Sequence, residues 1–408
     1  MLYLTYEAHN NLAEPVRSLA AHGVALLKRL RPADSAKGWM DNLYAALDLL
    51  ARTRITHARP PYNIPEIRIG ERTVPVHEQT VCTMPFGTLL RFAKQGAQPQ
   101  PRVLVVAPLS GHFATLLRDT VATLLIDHDV YITDWHNARD VAKHEGRFGF
   151  DEYVDHVIGF LQAMGPGAHV VAVCQSCVQT LVAAAVLAEQ HSQFQPLSMT
   201  LMAGPVDTRV NPTKVNELAT SKPIKWFEQN LIATVPRNYP GKWRRVYPGF
   251  VQLTAFMSMN IERHIKAHED IYVAVANGDL EKARALQDFY EEYFAVLDLS
   301  ADFYLETVRY VFQEHRLPLG TLEYRGRRVN LGAIRRTALL TVEGERDDIC
   351  SLGQTVAAHD LCTGLRPYLR HHHMQPGVGH YGVFAGKRWR TQIYPVVRNL
   401  ILSNESGV

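Results

Sequence analysis

The stretch from His169 to Ala185, HVVAVCQSCVQTLVAAA, decides the fold. Its first part, Val170 to Val173, is short, apolar and β-branched, which predicts a buried strand. Cys174 follows at once, and a helix begins with Gln175. A strand that becomes a helix across one reactive residue has the geometry of a nucleophile elbow. The usual elbow, G-x-S-x-G, carries small residues two before and two after the nucleophile so that the backbone can turn sharply. Here Ala172 and Ser176 hold those positions, and cysteine stands where serine is usual. The turn sets the sulfur at a helix N-terminus, where unpaired N–H groups and the macrodipole favour a thiolate. A buried structural cysteine at a strand end is the competing reading.

Around this stretch, strands and helices alternate. Val103 to Pro108 reads as a buried strand, Phe113 to Ile126 as a helix, Val130 to Trp135 as a strand and Tyr153 to Met164 as a helix. Leu197 to Gly204 is the next strand-like run. Apolar runs of this length between helices imply a parallel sheet covered on both faces. The alternation stops at Gly204-Pro205, where a helical stretch to about residue 330 begins, and resumes with Thr337 to Gly344. A helix over Thr355 to Leu365, a strand-like YLRHHHMQ and a last helix to Leu402 follow. The expected fold class is α/β: an α/β-hydrolase with a mostly parallel sheet, helices on both faces and a helical cap. Four segments result: 1–100, an N-terminal helical segment with leading strands packing on the core; 101–204, the first part of the core; 205–330, the cap; and 331–408, the second part of the core.

A thiol nucleophile needs a base, and the base needs an orienting group. In α/β-hydrolases the chain order is nucleophile, acid, histidine, with the last two on loops after late strands. Gly344-Glu345-Arg346-Asp347-Asp348-Ile349 follows the Thr337 strand and offers the acid, Asp347, with Asp348 as its neighbouring candidate. One of these aspartates is also expected to cap a turn. Gly377-Val378-Gly379-His380-Tyr381-Gly382 offers the base, His380. The oxyanion hole of this fold takes one N–H from the residue after the nucleophile, here Gln175, and one from the loop after an early strand. Ser110, in Pro108-Leu109-Ser110-Gly111-His112, is the second candidate. His112, Trp226 and Trp243 are candidate substrate contacts, against the plainer readings of a loop histidine and cap-core aromatics.

Other features are weaker. Cys174 to Cys177 has the C-x-x-C redox spacing, but that reading leaves the Asp347 and His380 loops without a use. Cys177, one turn into the helix, reads as packing, and Ser176 lies past the turn. Successive residues of a strand point to opposite faces, so His371, His372 and His373 cannot share one metal ion well, and no metal is expected. The chain has 408 residues, 47% hydrophobic and 20% charged, enough to bury a large core. A net charge of +3 is too mild to argue for nucleic acid. Five scattered cysteines fit a reducing compartment. The opening MLYLTYEAHNNLAEPVR does not read as a signal peptide, and no apolar run is long enough for a membrane span, so a cytoplasmic protein is expected.

PLSGHFATLLRDT (Pro108–Thr120), YITDWHNARDV (Tyr131–Val141), HVVAVCQ (His169–Gln175), TVEGERDDI (Thr341–Ile349) and GHYGVFAGKRW (Gly379–Trp389), with the opening MLY, resemble the intracellular polyhydroxybutyrate depolymerase family. The motifs run in family order over nearly the whole chain. The resemblance implies an α/β-hydrolase with a cysteine nucleophile that cleaves ester bonds of stored poly(3-hydroxybutyrate) to monomers or oligomers. Carried over by motif, it assigns the nucleophile to Cys174, the acid to Asp347 and the base to His380. It implies the polymer or its granule surface as partner, no cofactor beyond coenzyme A as an acyl acceptor, and a location at the granule. It leaves a homo-oligomer open. The chain departs from the pattern after VCQ, where proline is expected and Ser176-Cys177 stands. The alternatives are a polyhydroxyalkanoate synthase-like acyltransferase, coenzyme A-dependent thiolysis of the polymer, and a non-catalytic granule-coating protein.

Overall fold

A computed structural model describes residues 2–30, 39–96, 98–259 and 261–405. Two helices lead the chain, α1 (Leu2–Leu30) and α2 (Trp39–Arg52). Then come β1 (Glu66–Ile69), β2 (Arg72–Met84), β3 (Gly87–Lys94), β4 (Arg102–Val106), α3 (Arg118–Leu124) and β5 (Asp129–Trp135). The core continues with α4 (Phe150–Met164), β6 (Ala168–Val173), α5 (Ser176–Glu189) and β7 (Ser198–Met202). After an insertion, β13 (Ala338–Gly344) and β14 (Arg370–Gln375) finish the sheet, and a helix over Tyr394–Ser403 closes the chain.

The nine strands are ordered β1-β2-β3-β5-β4-β6-β7-β13-β14. β1, β2 and β3 are antiparallel to their neighbours, and every pair from β5 to β14 is parallel. This is the α/β-hydrolase arrangement expected from the sequence. Apolar β-branched runs take the central places because strands covered on both faces need no polar side: Val103 to Val106 and Val170 to Val173 are fully buried. Helix α5 lies against them and is buried on nearly every side, as its all-round apolar sequence demands. The chain leaves β4 in one direction to form β5 and in the other to form β6. The crevice outside the carboxyl ends of β4 and β6 is therefore the switch point, where ligands bind in open α/β sheets.

The insertion holds α6 (Lys214–Thr220), α7 (Ile224–Leu231), α8 (Gly249–Met259), α9 (Ile261–Asn277), α10 (Leu280–Tyr293) and α11 (Ala301–Thr307), with a π-helical stretch over Val308–Gln313. Three short strands, β8 (Ala233–Thr234), β9 (Arg245–Tyr247) and β10 (Leu299–Ser300), form a small sheet within it, and the hairpin β11 (Glu323–Tyr324) and β12 (Arg327–Arg328) follows. Residues 1–100 divide. Strands β1–β3 join the main sheet, whereas Ala45 of α2 packs into a separate apolar cluster with Leu253, Ile271, Tyr290 and Phe294 of the insertion. The buried Asp48 carboxylate fixes α2 there, accepting from Arg52 Nε at 3.0 Å and from Gln287 Nε2 of α10 at 2.7 Å.

The segment Ala295–Asp298, between α10 and β10, ties three parts of the molecule together. Val296 N donates to Thr56 O at 2.8 Å, Leu297 N to Gly111 O at 2.9 Å, and Asp298 N to Asn137 Oδ1 at 3.0 Å. The Asp298 carboxylate accepts from Gly249 N at 2.8 Å, at the start of α8.

Two helices differ from expectation. The Phe113–Ile126 stretch starts as a 3-10 turn, Ala114–Leu117, before α3. Of the Thr355–Leu365 helix only Ala358–Leu361 forms. The buried Glu343 carboxylate explains this: it accepts from the backbone N–H groups of Gly353, Thr355 and Val356 at 2.7–3.1 Å and so organises a turn in place of a helix.

Candidate active site

The elbow forms without its usual glycines. Cys174 takes φ +58°, the left-handed conformation in which an L-residue is strained. Several contacts hold it there. Cys174 N donates to Met202 O at 2.8 Å, and Cys177 N donates to Cys174 O at 3.1 Å. The Ser176 hydroxyl donates to Val106 O at 2.7 Å and accepts from Val173 N at 3.0 Å, which clamps the helix start onto β4. Ser176 is therefore buried and committed to structure. The neighbouring loop approaches so closely that Gly204 is required: a Cβ there would lie 2.2 Å from Cys177 Cβ and 3.1 Å from Cys174 O.

Acid and base come together on two loops that are joined edge to edge. Glu345 N donates to Gln375 O at 3.0 Å and Arg346 N to Val378 O at 2.8 Å, continuing the β13–β14 pairing past the strand ends. His380 Nδ1 then lies 2.8 Å from Asp347 Oδ2. The other carboxylate oxygen accepts from Ile349 N at 2.9 Å and Cys350 N at 2.8 Å. Asp347 thus both holds the His380 ring and caps the turn, and its side chain is 0% exposed. Asp348 is exposed and lines the larger of the two cavities described below. Burial alone would lower the His380 pKa, but the Asp347 carboxylate, the Cys174 sulfur and hydrogen bonds to both outweigh it and raise it well above the usual imidazole value.

Two cavities meet here. One, of about 180 Å³, has Cys174, Gln175 and Ser110 in its floor and Phe227, Tyr304 and Phe312 of the insertion in its walls. The other, of about 780 Å³, runs along Gly379 and His380 between α9, α10 and the Asp348 loop. Phe256 and Ile349 line both. The structure thus brings Cys174, Gln175 and Ser110 together in one cavity, with His380 and Asp347 alongside.

Three candidate substrate contacts are elsewhere. His112 is buried, its Nε2 lying 3.1 Å from Tyr293 O, and burial lowers its pKa to about 4. A neutral ring packed on Tyr293 joins the core loop to the cap, so the expectation of substrate contact is corrected. Trp226 packs edge-on against Phe227, and Trp243 lies under the Arg237 guanidinium. They are 37% and 48% exposed and line neither cavity, so the expectation for them is corrected too. Gln252, Tyr304 and Ile349, which the sequence does not single out, line the small cavity, and the Tyr304 ring stacks on Tyr247 with ring centroids 3.9 Å apart.

Cys177 is buried, with Sγ 3.4 Å from Ala172 O, and burial raises its pKa well above the usual thiol value. That is the opposite of what a redox thiol needs. The three histidines lie on the edge strand β14, where His372 Nδ1 is 2.9 Å from Thr341 Oγ1 and His373 Nε2 is 3.0 Å from Gln375 Oε1. Among the described residues, no group of three His, Cys, Asp or Glu side chains is placed to hold a metal ion.

Solved structures similar to this chain include 2-hydroxy-6-oxo-6-phenylhexa-2,4-dienoate hydrolase from a Rhodococcus strain, at 14% identity and TM-score 0.43 over 81% of this chain and 99% of that one. A thermophilic esterase from Thermogutta terrifontis is similar at 12% identity and TM-score 0.41, over 81% and 99%. An α/β hydrolase from a Penicillium species is similar at 13% and 0.45, over the same shares. No curated protein sequence matches the chain. The family model described as PHB de-polymerase C-terminus matches residues 203–405, the half that carries the cap, Asp347 and His380, and through it this chain belongs to that family.

Proposed function

We propose that this protein, a carboxylic ester hydrolase by its family, cleaves poly(3-hydroxybutyrate) through an acyl-enzyme on Cys174. The observation that carries this reading is the buried relay of Asp347 to His380 at 2.8 Å, with the elbow sulfur near enough to help raise the pKa of the ring. A protonated His380 beside Cys174 is the arrangement in which sulfur attacks as a thiolate. The S–C bond forms, and the carbonyl oxygen turns toward the N–H groups of Gln175 and the Ser110 loop. His380 gives its proton to the departing alkoxide as the C–O bond breaks. Water then attacks the thioester, His380 accepts its proton, the C–S bond breaks, and 3-hydroxybutyrate or an oligomer leaves. Each oxyanion donor contributes about 3 kcal/mol to such a transition state.

The polymer is taken as the cytoplasmic store, with the protein at the granule surface. Among the described residues no helix is long and apolar enough to cross a membrane. The test is to incubate wild type and Cys174→Ala with amorphous polymer, with and without coenzyme A, and to identify products. The reading expects free hydroxyacid from wild type in buffer alone and loss of at least three orders of magnitude in the variant. Acyl-coenzyme A as the sole product would make the reaction thiolysis, and chain growth would make it synthase-like. Equal behaviour of the two proteins would leave only a granule coat.

A further inference from the structure

The two cavities are unequal, and the chemistry decides which part of the substrate enters each. The acyl carbon is bonded to Cys174 Sγ, so the acyl side of the scissile ester occupies the cavity that has Cys174 and Gln175 in its floor. The departing alkoxide must take a proton from His380, so the alcohol side occupies the cavity along Gly379 and His380. Phe256 of α8 and Ile349 of the acid loop line both and stand between them.

Size then sets the register. The acyl cavity holds about 180 Å³, and Phe227 in its wall is packed against Ala219 and Val308, which also line it. An apolar cavity of roughly 150 Å³ takes one molecule of six non-hydrogen atoms, the number in one 3-hydroxybutyryl unit. The acyl side therefore has room for one unit. The alcohol cavity, at about 780 Å³, has room for about five by the same measure. In this polyester the acyl side of any ester leads toward the hydroxyl end of the chain. We propose that the protein removes single units from the hydroxyl end, with Phe227 as the stop on the acyl side and Phe256–Ile349 as the divider.

Two unpartnered acceptors suit such an end. Among the described residues, Gln175 Oε1 and Gln252 Oε1 are buried with no hydrogen-bond partner, and both residues line the acyl cavity. A chain that continued beyond one unit would bring an ester oxygen, which cannot donate, whereas a terminal hydroxyl can. Buried acceptors left without a donor cost about 1–3 kcal/mol each, so the cavity discriminates by hydrogen bonding as well as by length.

This inference rests on the proposed acyl-enzyme, and its test separates the two. Acylation by the p-nitrophenyl ester of 3-hydroxybutyrate, read as nitrophenolate release dependent on Cys174, reports the reaction itself. The register is read with a linear 3-hydroxybutyrate tetramer methyl ester, its hydroxyl end free or acetylated. The free tetramer should first give monomer plus trimer ester, and quenched intact-mass measurement should show one hydroxybutyryl unit on Cys174. Acetylation should slow cleavage at least tenfold, and Phe227→Ala should admit a two-unit adduct. Dimer as the first product from wild type, an adduct of two or more units on wild type, or indifference to the acetyl cap overturns the register while the ester chemistry stands. No Cys174-dependent acylation by either substrate overturns both.

Discussion

Replacing Asp347 with asparagine tests the relay most directly, because the structure fixes how the new side chain must sit. Oδ1 accepts from two backbone N–H groups, at 2.9 and 2.8 Å, so the amide oxygen stays there. The amide NH₂ is then forced toward His380 Nδ1, which lies 2.8 Å from Oδ2 in the native site. The ring can no longer donate from Nδ1; it accepts there instead, and its proton moves to Nε2, the nitrogen needed to exchange a proton with sulfur and alkoxide. The largest favourable influence on the imidazolium is lost at the same time, so the His380 pKa falls. An orienting carboxylate converted to its amide in this way costs about 10,000-fold in kcat, or about 5 kcal/mol. Shape is conserved, so Tm should move by only a few degrees. The assay is pre-steady-state release of nitrophenolate from p-nitrophenyl 3-hydroxybutyrate, with His380 followed by NMR through a pH titration. Asp348→Asn, at the exposed neighbour, should change kcat by less than about tenfold. An Asp347→Asn enzyme within tenfold of wild type, or equal losses at both positions, would refute the relay.

The remaining expectations concern the elbow and the cap. Gly204→Ala places a Cβ 2.2 Å from Cys177 Cβ, so it should lose about 3 kcal/mol or more of stability. Because the clash is with Cβ and not only with sulfur, adding Cys177→Ala should not restore the Tm; full restoration would show that the loop gives way. Cys177→Ala alone should cost about 1 kcal/mol and keep kcat within a few-fold, and loss of turnover comparable to Cys174→Ala would revive a catalytic second thiol. Burial raises the pKa of Asp298 to about 7, with the Gly249 N–H pulling the other way, and His57 nearby is held neutral by a pKa lowered, mainly by burial, to about 3. A carboxyl raised in the folded state adds stability that is full below its unfolded pKa near 4 and is lost as pH rises through about 7. Asp298→Asn should therefore flatten the decline of Tm between pH 5 and 8; parallel curves for the two proteins would contradict the assignment.

The parts of this site legible in the sequence were those with short-range signatures. Val170–Val173 running into Cys174 announces a strand and a turn, and the Gly-bounded loops of Asp347 and His380 follow strands whose apolar runs are plain. Strand order does the rest, because parallel strands deliver their following loops to one edge of the sheet. Cavity walls were not legible. Phe256 and Ile349 have no local mark that separates them from other apolar residues, and their place depends on how α8 meets a loop almost a hundred residues later. His112 looked available because it sits beside the oxyanion loop, yet Tyr293 of α10 covers it. Trp226 and Trp243 belong to a run of cap aromatics whose inward and outward members the sequence does not distinguish; both stay at the surface, while Phe227, beside the first, turns inward. Nor does the pattern of α2 reveal that its buried face, Asp41, Ala45 and Asp48, meets the insertion and not the sheet.

The short run Ala295–Asp298 has a consequence for how the cap moves and how it can be exchanged. By hydrogen-bonding to Gly111, it makes the cap one of the supports of the loop that carries Ser110. On the proposed mechanism, a cap hinged at its base would loosen the loop assigned to the second oxyanion donor each time it opened. Any motion of the cap compatible with the proposed mechanism must therefore leave the 295–298 base in place. For the same reason, a chimera that replaces the whole insertion would remove a support of the Ser110 loop, whereas one that keeps residues 295–298 and grafts only the outer helices would leave it in place.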